Sequence, residues 1–172
     1  MFVLSKRVLF FVIIAAVLAG AALSVVLGGT QPAYANCLTH EGPARPDFAR
    51  TTLHIEKAVG QTVSLSVEIA DTPDKQAYGL MYVRSLKDEC GMVFPYNPPK
   101  PVGFWMRNTF IPLDLVFFDA DGVLMHIHRD AVPFDETPMH SGGATSLVLE
   151  IPAGAARRHG FQPGDRLRQG TF

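Results

Sequence analysis

Apolar and polar residues alternate along two neighbouring stretches of the chain. In residues 62–70, TVSLSVEIA, every second residue is apolar, which is the period of a half-buried β-strand. Residues 52–57, TLHIEK, show the same period, with Leu53 and Ile55 on the inward face. Because a turn at Gly60 separates the two stretches, the pattern predicts a β-hairpin.

The period changes from two to that of a helix in residues 71–86, DTPDKQAYGLMYVRSL. Thr72 is a residue type favoured at a helix N-cap, and Pro73 suits the first helical position. Gly79 has low helix propensity. We therefore expect a short helix that begins near Pro73 and does not extend far beyond Gly79.

Short apolar runs separated by turns make up most of the remaining chain. GMVFPY, GFWM, LDLVFF and SLVLEI are typical of strands, and the turn DADG predicts that LDLVFFDADGVLMHIH forms a hairpin. AGAARRHG allows two helical turns that end at Gly160. Many short strands with one or two short helices favour a mainly β fold, a sandwich or barrel, over a parallel α/β sheet.

The N-terminus has the pattern of an export signal. Lys6 and Arg7 precede an uncharged apolar run over residues 8–27, and Ala33 and Ala35 are the small residues that a signal peptidase recognises. The pattern therefore predicts a secretory signal peptide.

This signal divides the 172 residues into three parts. We expect a signal peptide over residues 1–35, a linker over residues 36–50 and a single domain over residues 51–172. An uncleaved anchor stays open, because a run of about 20 apolar residues can cross a bilayer. Either outcome predicts an extracytoplasmic domain, in the periplasm or on the outer face of the cytoplasmic membrane. The membrane is a partner only through an uncleaved N-terminal segment.

The charge pattern gives no support for a nucleic-acid partner, and the two cysteines suggest a disulfide. The chain has 15 basic and 16 acidic residues and no basic block or stripe, so nothing supports a nucleic-acid partner. Cys37 and Cys90 both fall in the exported part, where a disulfide between them is the simplest expectation. A buried or reactive thiol at Cys90 is the alternative, since a bridge needs Cα atoms within about 7 Å.

Two acidic residues stand alone within apolar strands. Asp114 lies in LDLVFF and Glu150 in SLVLEI, and both faces of each strand are largely apolar. A buried carboxylate is costly unless it is paired or accepts hydrogen bonds. The expected partners of Asp114 are the turn of Asn108 and Thr109 and the charges of Arg84 and Arg107.

Three roles stay open for these two acids. The favoured role is structural hydrogen bonding; the others are a ligand pocket and the acid and base of a hydrolase such as a glycosidase. Trp105 lies beside the polar turn and could form the floor of a pocket for a saccharide or another small polar ligand. The sequence has no Gly-x-Ser-x-Gly motif and no Gly-rich phosphate loop.

Histidines suggest a metal site as a further alternative. MHIH places His126 and His128 on one face of a strand, and His140 follows in the next loop. Imidazole ligands, with the neighbouring Met125 and Met139, would suit copper or zinc. An exposed strand face with solvated histidines is the favoured interpretation, and we expect no cofactor.

Five segments carry a family resemblance: GLMYVRSL, GMVF, FWMRNTFIPLDLVFFDADG, LVLEIPAG and GFQPGD. In this order they resemble the uncharacterised bacterial and archaeal family known as domain of unknown function 192, over roughly residues 67–167. The family motif falls on Gly79, Leu80, Met81, Arg84, Gly91, Met92, Trp105, Met106, Asn108, Thr109, Pro112, Asp114, Glu150, Gly154, Gly164 and Asp165. The resemblance implies an exported or membrane-tethered, mostly β sandwich of jelly-roll type, and it implies no activity.

The sequence thus predicts an exported two-sheet β-sandwich, jelly-roll-like, with one or two short helices. Its expected role is non-catalytic binding of a small polar ligand or saccharide in the cell envelope. The residues of the candidate ligand-binding or structural motif are Arg84, Trp105, Met106, Asn108, Thr109, Asp114 and Glu150. The alternatives are a hydrolase that uses Asp114 and Glu150, and a copper or zinc protein that uses His126, His128 and His140. Whether the protein is an enzyme stays open.

Overall fold

The structure is a computed structural model and describes residues 37–168. The predicted signal peptide lies outside the described residues. Within residues 37–168, no helix has the length and apolar character needed to cross a membrane.

The described residues form eleven strands and two short helices. In chain order these are β1 (Leu38–His40), β2 (Ala49–Glu56), β3 (Thr62–Ile69), α1 (Pro73–Tyr78), β4 (Val83–Leu86), β5 (Cys90–Lys100), β6 (Gly103–Phe104), β7 (Leu113–Phe118), β8 (Leu124–Ala131), β9 (Met139–His140), β10 (Thr145–Pro152), α2 (Ala155–His159) and β11 (Arg166–Leu167). The prediction of a mainly β fold with one or two short helices is confirmed.

Seven strands form one curled sheet in the order β11-β2-β3-β5-β10-β7-β8. Its neighbours are antiparallel except for the parallel pair β3 and β5. The two edges meet, because the Leu124 N–H donates to the Asp165 carbonyl at 2.7 Å and the Leu167 N–H donates to the Gly122 carbonyl at 2.8 Å. The two-sheet, jelly-roll sandwich is not confirmed: the other described strands form only two-stranded sheets, β1-β4 and β6-β9.

The structure contains the hairpins and helix ends that turn and capping residues in the sequence predict. β2 pairs with β3, and β7 pairs with β8, as two antiparallel hairpins. At α1, the side-chain oxygen of Thr72 accepts a hydrogen bond from the Lys75 N–H at 3.3 Å, and Pro73 is the first helical residue. Gly160 ends α2 in a left-handed conformation, with φ of 69°.

The curled sheet has a hydrophobic core on each face. The core on the concave side, which we call the inner core, includes Leu53, Ile55, Leu65, Val67, Val93, Val116, Phe118, Leu149, Ile151 and Phe161. The core on the other side, which we call the outer core, includes Leu80, Met92, Phe94, Met106, Leu113, Leu115, Phe117 and Val148. Because residues alternate between the faces of a strand, β7 and β10 contribute to both cores, as their apolar sequences predict.

Part of the predicted linker takes part in the fold. β1 pairs with β4, and Ala49 already belongs to β2. Cys37 and Cys90 form a disulfide, with their Cα atoms 5.7 Å apart, which joins the start of the described chain to the start of β5. The residues from Cys37 onward are therefore attached to the domain and do not form a free tether.

Candidate functional site

A cavity of about 430 Å³ lies over the outer core. One wall consists of the end of α1 and the turn after it, residues 76–81. The opposite wall comes from β5 and the segment that follows it, and the lining residues there are Phe94, Tyr96, Lys100, Pro101, Val102, Gly103, Phe104, Trp105, Arg107 and Thr109. Glu150 of β10 also borders the cavity. The site therefore combines three segments that are far apart in the sequence.

Glu150 is the acidic residue among the lining residues, and it lies on the outer face of β10. It pairs in register with Met92 on β5 and with Leu115 on β7, two residues of the outer core. Its side chain is buried, with 5% of the residue surface exposed, and its carboxyl group has no hydrogen bond or ion pair with a described residue. Burial raises its pKa to about 8. At neutral pH most of the carboxyl is thus protonated, and it can both donate and accept a hydrogen bond.

Tyr96 is the second ionisable group near the floor of the cavity. It follows Met92 and Phe94 on the same face of β5, and Met92 is the register partner of Glu150. Burial, together with the nearby Glu150, raises the pKa of Tyr96 to about 12. Its phenol therefore stays protonated over the physiological range and offers a further hydroxyl group.

Two cations and an exposed aromatic residue lie among the lining residues of β5 and the segment after it. The Lys100 ammonium lies 5.2 Å from the ring centroid of Tyr96, and the Arg107 guanidinium lies 5.6 Å from that of Trp105. Trp105 is 46% exposed. Within the described chain, neither Lys100 nor Arg107 forms an ion pair. The two charges are therefore available to a ligand.

Asn108 connects the two walls without lining the cavity. Its φ of 54° is in the left-handed region, which asparagine tolerates better than most residues. Its carbonyl accepts a hydrogen bond from the Tyr82 N–H at 2.9 Å, and its side-chain amide lies 3.8 Å from the Met81 sulfur. This turn places Arg107 and Thr109, on either side of Asn108, at the cavity.

Asp114 is fully buried, as predicted, but it lies on the inner face of the sheet. Its two carboxyl oxygens accept hydrogen bonds from the backbone N–H groups of Asp130 and Ala156, each at 3.0 Å. The predicted partners of Asp114 were wrong. The Asn108 side chain contacts the Met81 sulfur, and the Thr109 hydroxyl donates to the Arg107 carbonyl. The Arg84 guanidinium lies 4.0 Å from the ring centroid of Phe110 and pairs with Glu41.

The structure does not bring Asp114 and Glu150 together. Asp114 pairs in register with Ile151, a residue of the inner core, whereas Glu150 pairs with Leu115 of the outer core. Cross-strand partners share a face and successive residues alternate. The two carboxyl groups therefore point to opposite sides of one sheet, and they do not face each other across a cleft.

The histidines do not line the main cavity, although His140 pairs in register with Gly103, which does. His126 stacks on Phe117 with the ring centroids 4.5 Å apart, and burial lowers its pKa. His128 and His140 border a second cavity of about 280 Å³, together with Met106 and Met139. Between residues 37 and 168 there is no group of three or more His, Cys, Asp or Glu side chains arranged to hold a metal ion.

The cavity collects three of the seven residues of the candidate ligand-binding motif: Trp105, Thr109 and Glu150. Met106 lies in the outer core, and Asn108 has the connecting role described above. Sequence reasoning missed Tyr96 and Lys100 as site residues. The cluster YNPPKP that contains them resembles an ordinary loop, and no local pattern indicates that it faces α1.

Comparisons with known proteins give a family and similar solved structures. A family model described as Uncharacterized ACR, the domain of unknown function 192, matches residues 54–169, and the resemblance seen in the sequence is confirmed.

Two solved structures resemble this chain over most of the domain. A "putative transcription regulator" from Sinorhizobium meliloti 1021 is 38% identical, with a TM-score of 0.70, and the match covers 73% of this chain and 97% of that one. A protein of unknown function from Novosphingobium aromaticivorans DSM 12444 is 40% identical, with a TM-score of 0.68, and the match covers 78% of this chain and 94% of that one. The comparison with curated proteins gives no match.

Proposed function

Since the chain belongs to the uncharacterised family of domain of unknown function 192, we propose its function from its own cavity: it binds a small polar ligand, of saccharide type, without catalysing a reaction. The observation that carries this proposal is Glu150, a buried carboxyl group that borders the cavity and has no hydrogen-bond partner among the described residues. Its carboxyl oxygens do not belong to the fully buried side-chain atoms of the described residues that lack a partner, so a ligand in the cavity can reach them. A ligand hydroxyl at this position would supply the missing partner.

The composition of the walls supports a small polar ligand. Small-molecule pockets usually have volumes of about 300–1,000 Å³ and combine apolar walls with a few polar groups. The cavity, of about 430 Å³, combines Phe94, Phe104 and Leu80 with the hydroxyl of Tyr96 and the carboxyl of Glu150. Trp105 adds an exposed ring, on which the apolar face of a sugar can pack.

Binding without catalysis is favoured by the separation of the two acids. Glycoside hydrolysis generally uses two carboxyl groups that flank one bond, about 5–10 Å apart. Glu150 faces the cavity, whereas both oxygens of Asp114 accept hydrogen bonds on the other face of the sheet. Glu150 therefore lacks Asp114 as a catalytic partner, and the cavity is better suited to holding a ligand than to cleaving one.

We also propose that the domain acts outside the cytoplasm, in the periplasm or on the outer face of the cytoplasmic membrane. Export is supported by the basic residues Lys6 and Arg7, the apolar run over residues 8–27, and the small residues Ala33 and Ala35. The disulfide of Cys37 and Cys90 is compatible with an oxidising compartment. The regulatory role in the description of the Sinorhizobium protein is not transferred to this chain, whose sequence has no basic block or stripe.

A thermal-shift screen with neutral and acidic sugars, polyols and small organic acids tests the binding function. We expect at least one compound to raise the melting temperature of the wild type. The shift should disappear in Glu150→Leu, whose side chain is of similar size but has no hydrogen-bond donor or acceptor. It should also shrink in Trp105→Ala, and because Trp105 is exposed we expect this variant to fold.

The matched control is Glu136→Leu, because Glu136 is an exposed acid outside the cavity. This variant should keep the full shift. A stabilising compound that acts equally on the wild type, Glu150→Leu and Trp105→Ala would place its site elsewhere and contradict the proposal. A panel in which no compound stabilises the wild type would equally count against it.

A further inference from the structure

We infer that the ligand of this cavity is a monosaccharide-sized, polyhydroxylated molecule with one anionic group. Its anion lies on the side of Lys100 and Arg107, and its uncharged hydroxyl groups face Glu150. This inference rests on the proposed binding function and adds the charge and orientation of the ligand.

The first argument is the unpaired charge in the lining. Lys100 and Arg107 are the basic residues among the described lining residues, and neither has an ion-pair partner among residues 37–168. Seven other described Lys and Arg residues form ion pairs, whereas Lys57, Lys87, Arg129 and Arg166, which lie outside the cavity lining, do not. The cavity thus has two cations that no protein carboxylate neutralises.

The second argument is how these cations are held. The Lys100 ammonium lies over the ring of Tyr96 and the Arg107 guanidinium over that of Trp105, and both rings also line the cavity. A cation–π contact orients a cation without cancelling its charge. Each cation is therefore positioned beside the cavity and keeps its ability to bind an anion.

The third argument concerns the orientation of the ligand. Glu150 is buried, and its pKa of about 8 leaves it mostly uncharged at neutral pH. An uncharged carboxyl group exchanges hydrogen bonds with hydroxyl groups. Burial alone accounts for the raised pKa of Glu150, with no contribution from a cation. An anion placed beside Glu150 would therefore be desolvated there without a described cation to pair with, whereas Lys100 and Arg107 offer two.

The anionic group has two chemical forms that fit equally well. Arginine binds carboxylate and phosphate by the same paired hydrogen bonds, and lysine binds either as a point charge. A sugar acid and a sugar phosphate therefore share the recognition chemistry, and their sizes suit the cavity volume of about 430 Å³. Separate titrations distinguish the two forms.

The test is a calorimetric titration of the wild-type domain with five probes at low ionic strength. Glucuronate and galacturonate represent the sugar acids, glucose 6-phosphate the sugar phosphates, and glucose and galactose their uncharged counterparts. We expect an acidic probe to bind at least about tenfold more tightly than its uncharged counterpart, since charged hydrogen bonds are the stronger ones. Added salt should weaken that binding.

Two double variants test whether Lys100 and Arg107 bind the anionic group of the probe. Lys100→Ala/Arg107→Ala should lower the affinity for the acidic probe at least about tenfold. The control is Lys87→Ala/Arg129→Ala, which removes two exposed charges outside the cavity and should leave the affinity unchanged. Lys100 and Arg107 are exposed as well, so we expect both double variants to fold.

The outcomes separate this inference from the function on which it rests. Uncharged sugars that bind as tightly as acidic ones would overturn the inference and leave the binding function intact. The inference is also overturned if all five probes fail to bind, or if the Lys100→Ala/Arg107→Ala variant keeps full affinity. The binding function fails only if the broader thermal-shift screen finds no compound whose effect depends on Glu150.

Discussion

The carboxyl group of Asp114 accepts two backbone hydrogen bonds, whereas that of Glu150 has no described partner and borders a cavity. Both residues stand alone in apolar strands, and the sequence does not distinguish them. The difference arises from the face of the sheet on which each side chain lies. Asp114 connects β7 to the end of β8 and the start of α2, so we assign it a structural role and assign the ligand role to Glu150.

Replacing Asp114 with alanine should strongly destabilise the domain. The Asp130 and Ala156 N–H groups would lose their acceptor, and an unsatisfied buried donor costs about 1–3 kcal/mol. We expect the free energy of unfolding in urea to fall by roughly 2–4 kcal/mol. The exposed Asp121→Ala is the control and should change it by less than about 0.5 kcal/mol. An equally small change for Asp114→Ala would contradict the structural role.

The burial of Asp114 could be predicted from the sequence, but its partners could not. Apolar neighbours on both faces of LDLVFF indicate a covered strand, and the structure buries every residue of β7. The donors, however, lie 16 and 42 positions away along the chain. Local reasoning favoured the nearby turn of Asn108 and Thr109, because it considered only neighbours in the sequence.

At the scale of elements, the close packing of β5 against β10 determines where Glu150 is held. Gly91 on β5 lies so near β10 that a Cβ atom there would be 2.5 Å from the Glu150 carbonyl oxygen. Real Cβ atoms essentially never come this close to a backbone oxygen. Only glycine allows these two strands to approach, and the approach positions Glu150 beneath the cavity.

Gly91→Ala should therefore both destabilise the fold and weaken ligand binding. Overpacking of a tight core site costs about 1–3 kcal/mol, and here the clash would displace the backbone of Glu150 itself. Gly143→Ala is the matched control, because its nearest neighbour would be the Met125 sulfur at 3.9 Å, an ordinary contact. Denaturant unfolding measures the cost. A Gly91→Ala variant as stable as Gly143→Ala would show that the strands are not packed as described.

Elements that depend on neighbouring residues were predicted well, and those that depend on distant pairing were not. The β2-β3 and β7-β8 hairpins and the cap of α1 follow from turns and capping residues within a few positions. The parallel pairing of β3 with β5 and the meeting of β8 with β11 join distant parts of the chain. No periodicity within a strand indicates which partner it pairs with, so the curled sheet could not be distinguished from a sandwich.

At the scale of the whole molecule, the disulfide attaches the N-terminal segment to the domain. Cys37 and Cys90 are 53 positions apart, and both are buried. The bridge holds β1 beside β4 and connects it to β5, whose later residues line the cavity. The cavity wall is thus stabilised in part by a crosslink that restricts the unfolded chain.

Removing this crosslink should lower stability without removing the binding site. For a loop of this size, a disulfide contributes about 4 kcal/mol through the entropy of the unfolded chain. Cys37→Ser/Cys90→Ser should unfold at correspondingly lower urea concentration, and a reducing agent should destabilise the wild type but not the variant. An unfolding midpoint of the wild type that does not respond to the reductant would contradict this contribution.

The central claim is that Glu150 keeps an uncharged carboxyl group beside the cavity at neutral pH, without a hydrogen-bond or ion-pair partner among the described residues. Its folded pKa, raised by burial to about 8, exceeds the ordinary value of 4.5, so its contribution to stability is complete below about pH 4.5 and is lost as the pH rises through 8. Glu150→Gln mimics the uncharged form at every pH and does not undergo this loss.

The most direct test is the free energy of unfolding of the wild type and Glu150→Gln, measured in urea between pH 4 and 9 without ligand. We predict that the wild type loses stability relative to the variant, by up to about 5 kcal/mol, as the pH rises from about 4.5 to 8, and that the difference is then constant. The wild type should show no such loss relative to Glu136→Gln, because that variant keeps Glu150. A difference between the wild type and Glu150→Gln that stays the same at every pH would contradict the account.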